Sequence, residues 1–286
     1  MSTKTETRSI EVELTIDAAP DAVWKALTDA DELRRWFPLD ARVEPGEGGY
    51  IALRWAEAHQ GQGRITRWEP GRHLQTGWSE STDAFGEVPR PSPRQKPSVF
   101  ETDPEAAKRL LVDYRLEARE GGTLLRTVHS GFSTDASWDE ELESHRRGWN
   151  FELRSLRNYL NHHRGRTRSV AWVLQPVSIP IDEAWERLTG PDGLVREGTL
   201  EGVRRGGRYA ITSVHGQRFT GDVFNLEPPA EFAGTAENLD HALLRFGIET
   251  WTGRPEAQFW LSSWTDPALV ERLRGMWTEK LAALFA

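Results

Sequence analysis

The sequence predicts an α+β protein made of two tandem copies of one domain, each a curved antiparallel sheet closed around a long C-terminal helix. Three observations predict it. Short runs of alternating hydrophobicity are separated by glycine-rich turns. A proline-free amphipathic segment follows them. The same order of features then returns roughly 160 residues later.

Ile10, Val12, Leu14 and Ile16 alternate with polar residues, the pattern of a half-buried strand. Pro20 suits a helix start, and Ala22, Val23, Ala26 and Leu27 continue that helix. A second short helix over Asp29–Trp36 is stopped by Pro38. Strands are expected at Arg42–Glu44, Tyr50–Trp55, Gly63–Trp68 and Leu74–Trp78, the last two joined by the turn Glu69-Pro70-Gly71. Leu110–Ala118 and Thr123–Phe132 form a hairpin around Gly121-Gly122. Trp138–His162 lacks proline and repeats apolar residues near helical spacing, so it is the long helix. Such a sheet with one terminal helix buries its inner face only by bending around the helix.

The repeat rests on five echoes in one order. Pro180…Trp185…Leu188-Thr189 echoes Pro20…Trp24…Leu27-Thr28, and Gly206-Gly207-Arg208-Tyr209 echoes Gly48-Gly49-Tyr50. Gly221–Gly234 with Glu227-Pro228 echoes Gly63–Gly77 with Glu69-Pro70, and Arg274-Gly275-Met276-Trp277 echoes Arg147-Gly148-Trp149. Val170–Pro176 repeats the first strand. The offset drops at the end, so the second copy lacks the segment that fills 79–109 in the first. The domains are therefore expected at 1–162 and 169–286, the second shorter and degenerate.

Composition narrows function. The chain has 286 residues, enough for two domains, and its 13 Trp and 11 Phe supply large apolar faces for two small cores. Cysteine is absent, which excludes disulfides, thiolate metal sites and a cysteine nucleophile. Net charge is −8, with 22 basic against 28 acidic residues in 1–160 and 14 against 16 in 161–286. Neither half has the basic excess of a nucleic-acid binder. No apolar run approaches the ~20 residues that span a bilayer, and residues 1–10 are polar, so no membrane partner and a cytoplasmic location are expected.

The residues also resemble a known family. Ile16-Asp17-Ala18-Ala19-Pro20…Val23-Trp24…Leu27-Thr28, Leu33…Trp36-Phe37, Gly48-Gly49, Gly63…Trp68-Glu69-Pro70, His129-Ser130-Gly131-Phe132 and Gly148-Trp149 are similar to the AHSA1-like branch of the SRPBCC (START/Bet v1-like, helix-grip) superfamily. The resemblance covers 9–162 and weakens over 169–286, where the Trp-Phe-Pro run has no equivalent and Gly190–Gly198 replaces the second short helix. It implies a cavity between sheet and helix that takes small apolar or aromatic ligands, with no cofactor. The leading expectation is binding without catalysis. The alternatives are a polyketide aromatase/cyclase-like enzyme, or an enediyne-type self-resistance protein. The latter suits a GC-rich bacterial genome, which 31 Arg against 5 Lys suggests. An Hsp90-type co-chaperone is a further alternative, and no protein partner is specified.

Alternation assigns the candidate ligand-binding residues. Val112, Tyr114 and Leu116 share one strand face, Leu125, Thr127 and His129 the next, and Leu74, Thr76 and Trp78 a third. Trp149 and Leu153 face them from the helix, with Trp36, Phe37 and Trp55 as wall or mouth residues. His129 is the one candidate for acid–base chemistry, and Asp113 is expected outward and solvated. Each of these residues serves equally as plain core. Asp139-Glu140-Glu141…Glu143 complements a helix dipole without a metal. His162-His163 has no partner cluster, so no metal is expected. The proline-rich insertion over 80–109 is read as a lid, an interdomain strap or a surface loop. In the second copy, Tyr209, Phe219, Phe246, Phe259, Leu261 and Trp277 are expected to fill the interior.

Overall fold

The computed structural model describes residues 6–56, 59–78, 85, 99–250 and 254–286. They fall into two compact units, one ending at Gly165 and the other beginning at Arg166. The first runs β1 (Thr7–Ile16), α1 (Pro20–Thr28), α2 (Ala30–Leu33), β2 (Asp40–Glu44), β3 (Tyr50–Ala56), β4 (His59–Glu69) and β5 (His73–Trp78). It continues with α3 (Val99–Thr102), α4 (Pro104–Ala107), β6 (Leu111–Arg119), β7 (Gly122–Ser133) and α5 (Asp139–His162). The second runs β8 (Ser169–Pro176), α6 (Ile181–Thr189), β9 (Glu197–Gly198), β10 (Arg208–Thr212), β11 (Arg218–Glu227), β12 (Glu231–Ala236), β13 (Ala242–Glu249), β14 (Glu256–Ser263) and α7 (Pro267–Leu284).

The two sheets have one topology. Strand order is β1-β7-β6-β5-β4-β3-β2 in the first and β8-β14-β13-β12-β11-β10-β9 in the second, all antiparallel. This is the tandem helix-grip architecture expected from the echoes. Bulges supply the curvature in the first sheet: register shifts fall between Arg8 and Ser9, Arg54 and Ala56, and Ile65 and Arg67. An extra residue bends its strand and tightens the local twist, so the sheet can wrap a helix.

Helix α5 forms because its apolar residues repeat at 149, 153, 156 and 160. Trp149, Leu153, Leu156 and Leu160 are all buried, and Asp139, Glu140 and Glu141 occupy the first turn, where carboxylates offset the helix dipole. Ile10, Leu14 and Ile16 of β1 are also buried. Full burial of a leucine such as Leu153 contributes about 1.5–3 kcal/mol.

Two polar contacts tie the short helices to α5. The Tyr159 hydroxyl donates to Glu32 at 2.6 Å and accepts from the Gly165 N–H at 2.9 Å, while Arg35 donates to the same carboxylate at 2.7 Å. Ser155 donates to the Trp36 carbonyl at 2.7 Å. A buried carboxylate is tolerated because it is paired in this way. Burial and the bond to Glu32 raise the Tyr159 pKa.

Two local expectations need correction, and a third gains detail. Part of the insertion is helical: Asp103 caps α4 by accepting from the Ala106 N–H, Pro104 opens it, and Ala106 and Ala107 are buried. Residues 79–84 and 86–98 lie outside the described residues. Phe85 is described, and the Arg42 and Arg54 guanidinium groups lie 5.1 and 4.7 Å from its ring centroid. Asp113 does point outward but is not simply solvated, since it accepts from His73 (2.7 Å), Gln75 (2.9 Å) and Arg115 (2.9 Å). Burial alone would raise its pKa; the three hydrogen bonds outweigh that and lower it. Finally, Gly190–Gly198 is a turn that buries Leu194 and ends in the short strand β9.

Candidate functional site

Inward-facing residues of the first sheet form rows across the strands. Leu74, Tyr114 and Thr127 are successive cross-strand partners, as are Thr76, Val112 and His129. Leu116 pairs with Leu125 one step further along. Register thus gathers all the candidates of β5, β6 and β7 on one face, opposite Trp149 and Leu153 of α5. Trp78 pairs with Gly63, and its side chain lies outside the described residues.

This face is unevenly buried. Leu74, Leu125 and Leu153 are at most 1% exposed, whereas Leu53, Trp55, Thr76 and Val112 are only half-buried. Phe37 bridges the helices and the sheet, 5.1 Å from Trp55 and 5.7 Å from Trp149 between ring centroids. Trp36 is fully buried, stacked on Phe37 at 4.8 Å with its indole N–H on the Ala26 carbonyl. It supports the wall rather than lining a mouth.

The second unit is packed differently. Tyr209, Phe219, Phe246, Phe259, Leu261 and Trp277 belong to one buried cluster. The cross-strand pair Phe246–Phe259 lies beneath Trp277, which stacks on Phe259 at 4.7 Å. In the first unit the ring against Trp149 is Tyr114, at 6.0 Å, and its cross-strand partner is Thr127, so that pair carries two hydroxyls rather than two phenyl rings. The second unit does have a half-open concavity of about 350 Å³, away from the sheet–helix interior. Trp185, Thr189, Val195, Leu200, Leu226 and Pro228 are among its lining residues.

Three polar groups on the first unit's inward face have no hydrogen-bond partner among the described residues. Thr127 is 2% exposed and its Oγ1 is unpaired. Tyr114 is 7% exposed, and burial alone pushes its hydroxyl pKa up. The third is the Nε2 of His129. The Trp149 indole N–H donates to His129 Nδ1 at 2.9 Å, so Nδ1 carries the lone pair. Burial, and secondarily the neighbouring His145, hold the His129 pKa well below 6.5, so the ring is neutral. A neutral imidazole with its lone pair on Nδ1 keeps its proton on Nε2. Trp149 therefore fixes His129 as a hydrogen-bond donor. Phe132 (4.6 Å) and His145 (5.1 Å) flank the ring.

That depressed pKa sets a pH dependence. The unfolded chain takes a proton at this histidine near pH ~6.5, while the folded protein resists until lower pH. Folding stability should therefore fall as pH drops below ~6.5, by up to about 1.4 kcal/mol per pH unit from this group. His215 of the second unit is lowered too, by burial and then Lys280, and acts in the same direction. Urea unfolding at pH 7 and below should show this slope, and His129→Gln should remove its first-unit part. A slope unchanged in the variant would mean that His129 protonates freely in the folded state.

Among the described residues no group of three His, Asp or Glu side chains is placed to hold a metal, and no helix is long and apolar enough to cross a membrane.

Two sheets that each curve around a C-terminal helix define a protein of the START/Bet v1 helix-grip class. Residues 17–161 match the family model described as activator of Hsp90 ATPase homolog 1-like protein. The chain belongs to that AHSA1-like family. Solved structures similar to it include the Aha1 dimer from Colwellia psychrerythraea (20% identity, 55% of this chain and 99% of that one, TM-score 0.43). CalU16 from Micromonospora echinospora is 29% identical over 53% of this chain and 74% of that one, with TM-score 0.37. DynU16, a protein in the dynemicin biosynthetic locus, is 17% identical over 97% of both chains, with TM-score 0.40. No curated protein matches the sequence.

The residues missed from sequence are supporting ones, Glu32, Ser155 and Tyr159. A polar serine between Leu153 and Leu156 on the helix was the one available signal.

Proposed function

We propose that the protein binds a small apolar or aromatic molecule between the first sheet and α5, and holds it without chemistry. The carrying observation is Thr127 Oγ1, fully buried without a partner, beside Tyr114 Oη and His129 Nε2–H, to which no hydrogen bond is made among the described residues, on an inward face otherwise lined by Thr76 and apolar side chains. Leaving a buried polar group such as Thr127 Oγ1 without a partner costs about 1–3 kcal/mol, and a bound molecule or ordered water relieves that cost. Rings of Phe37, Trp55 and Trp149 beside this face suit a flat apolar partner. The locked tautomer also takes the role of general base from His129. A general base needs a free lone pair, and the lone pair of His129 is occupied by the Trp149 N–H.

The test is a thermal-shift screen of the full chain against apolar and polyaromatic libraries. A ligand at 100-fold excess over its Kd should add about 2.7 kcal/mol to the stability of the unit that binds it. Hydrogen exchange should place the added protection in β5–β7 and α5. A screen in which no member stabilises the first unit overturns the proposal.

A further inference from the structure

The geometry points to a ligand that presents a neutral hydrogen-bond acceptor, a carbonyl oxygen in the first instance, to the Nε2–H of His129. This rests on the binding site proposed above and specifies what occupies it. The argument begins with the bond from Trp149 to Nδ1 at 2.9 Å, which leaves His129 able only to donate on its remaining nitrogen. Val112, the cross-strand partner of His129, offers no side-chain acceptor there. The next row holds the Tyr114 and Thr127 hydroxyls, which donate as well as accept. A carbonyl is therefore matched by one fixed donor and two adaptable ones.

The charge of the ligand follows from the same face. The inward residues Leu74, Thr76, Val112, Tyr114, Leu116, Leu125, Thr127 and His129 carry no carboxylate, lysine or arginine, and His129 is neutral. An anion brought here would lose its hydration with no cation on these strands to offset it, and the facing helix adds the buried carboxylate of Glu152, whereas a neutral carbonyl loses little and gains a donor. An ammonium is disfavoured too, because the fixed group is a donor that repels it. A bare hydrocarbon would cover the Nε2–H and strip its water without pairing it.

The experiment uses shape-matched pairs that differ by one carbonyl, indane with 1-indanone and fluorene with 9-fluorenone, titrated into the full-length protein. The ketone should bind roughly five- to tenfold more tightly than its hydrocarbon, the range of one neutral hydrogen bond. His129→Phe, which keeps a ring but no N–H, should abolish that preference while the hydrocarbon still binds. In the unmodified protein, imidazole ¹⁵N spectra should report the proton on Nε2 and a shift of that nitrogen with the ketone only, a readout independent of any variant's folding. Equal binding of ketone and hydrocarbon overturns the acceptor assignment and leaves the site standing. Failure of both pairs to bind, in both sizes, removes the site and the assignment together. A spectrum with the proton on Nδ1 overturns the assignment directly.

Discussion

Gly131→Ala should unfold the first unit or come close to it. Gly131 is the extra residue of the bulge between β1 and β7, where Arg8 pairs with Phe132 and Ser9 with Ser130. Its φ is +96°, and a Cβ would lie 2.0 Å from the Arg109 carbonyl oxygen. The left-handed backbone alone costs an alanine about 1–3 kcal/mol. The clash is with backbone, which cannot swing aside as a side chain can. Moving β7 to relieve it would pull Phe132, fully buried, out of the interior beside His129. A total above about 4 kcal/mol is expected, against a domain stability of roughly 5–15 kcal/mol. Urea unfolding followed on first-unit amides should show it. A loss under about 1 kcal/mol would mean that the bulge is not rigid.

Trp149→Ala should cost about 3–5 kcal/mol, the usual range for deleting a buried aromatic side chain. The indole is 8% exposed and lies within 6.0 Å of the rings of Phe37, Tyr114 and His129. Trp149→Phe separates packing from hydrogen bonding. It keeps a ring but strands the Nδ1 lone pair of His129, so about 1–3 kcal/mol should be lost. It also frees the histidine to exchange tautomers, which ¹⁵N spectra would register. If Trp149→Phe is neutral and the proton stays on Nε2, something other than Trp149 sets the tautomer.

The parts of this account that were legible in the sequence are those written locally. Ile10 to Ile16 alternate because β1 has a wet side and a dry side, and Trp149, Leu153, Leu156 and Leu160 recur at helical spacing because α5 has one buried face. The inward candidates on β5, β6 and β7 were legible for the same reason, and antiparallel register set them side by side. Contacts that depend on distant segments were not legible. Tyr159 and Glu32 are 127 positions apart, and no pattern along either helix announces their bond. Trp149 and His129 were each readable as inward residues. That one fixes the other's tautomer depends on a helix and a strand meeting within 2.9 Å. Asp113 was placed on the correct face, but alternation says nothing about the three donors that converge on it.

The conserved topology of the two units also separates fold from site. Both sheets have the same order, yet Phe246 and Phe259 fill one interior beneath Trp277, while Tyr114 and Thr127 leave polar atoms facing the other. The proposed binding site accordingly lies in the first unit, on the few inward positions that carry polar groups.

The unfolding free energy of Thr127→Val in the ligand-free protein tests this most directly. Valine keeps the branched shape and removes only the hydroxyl. If Oγ1 faces an empty site, its removal should stabilise the first unit by about 1–2 kcal/mol, because a buried group without a partner disappears. A loss of about 1 kcal/mol or more would mean that the hydroxyl is already bonded within the protein, and that the inward face of the first sheet is finished core rather than a place for a ligand.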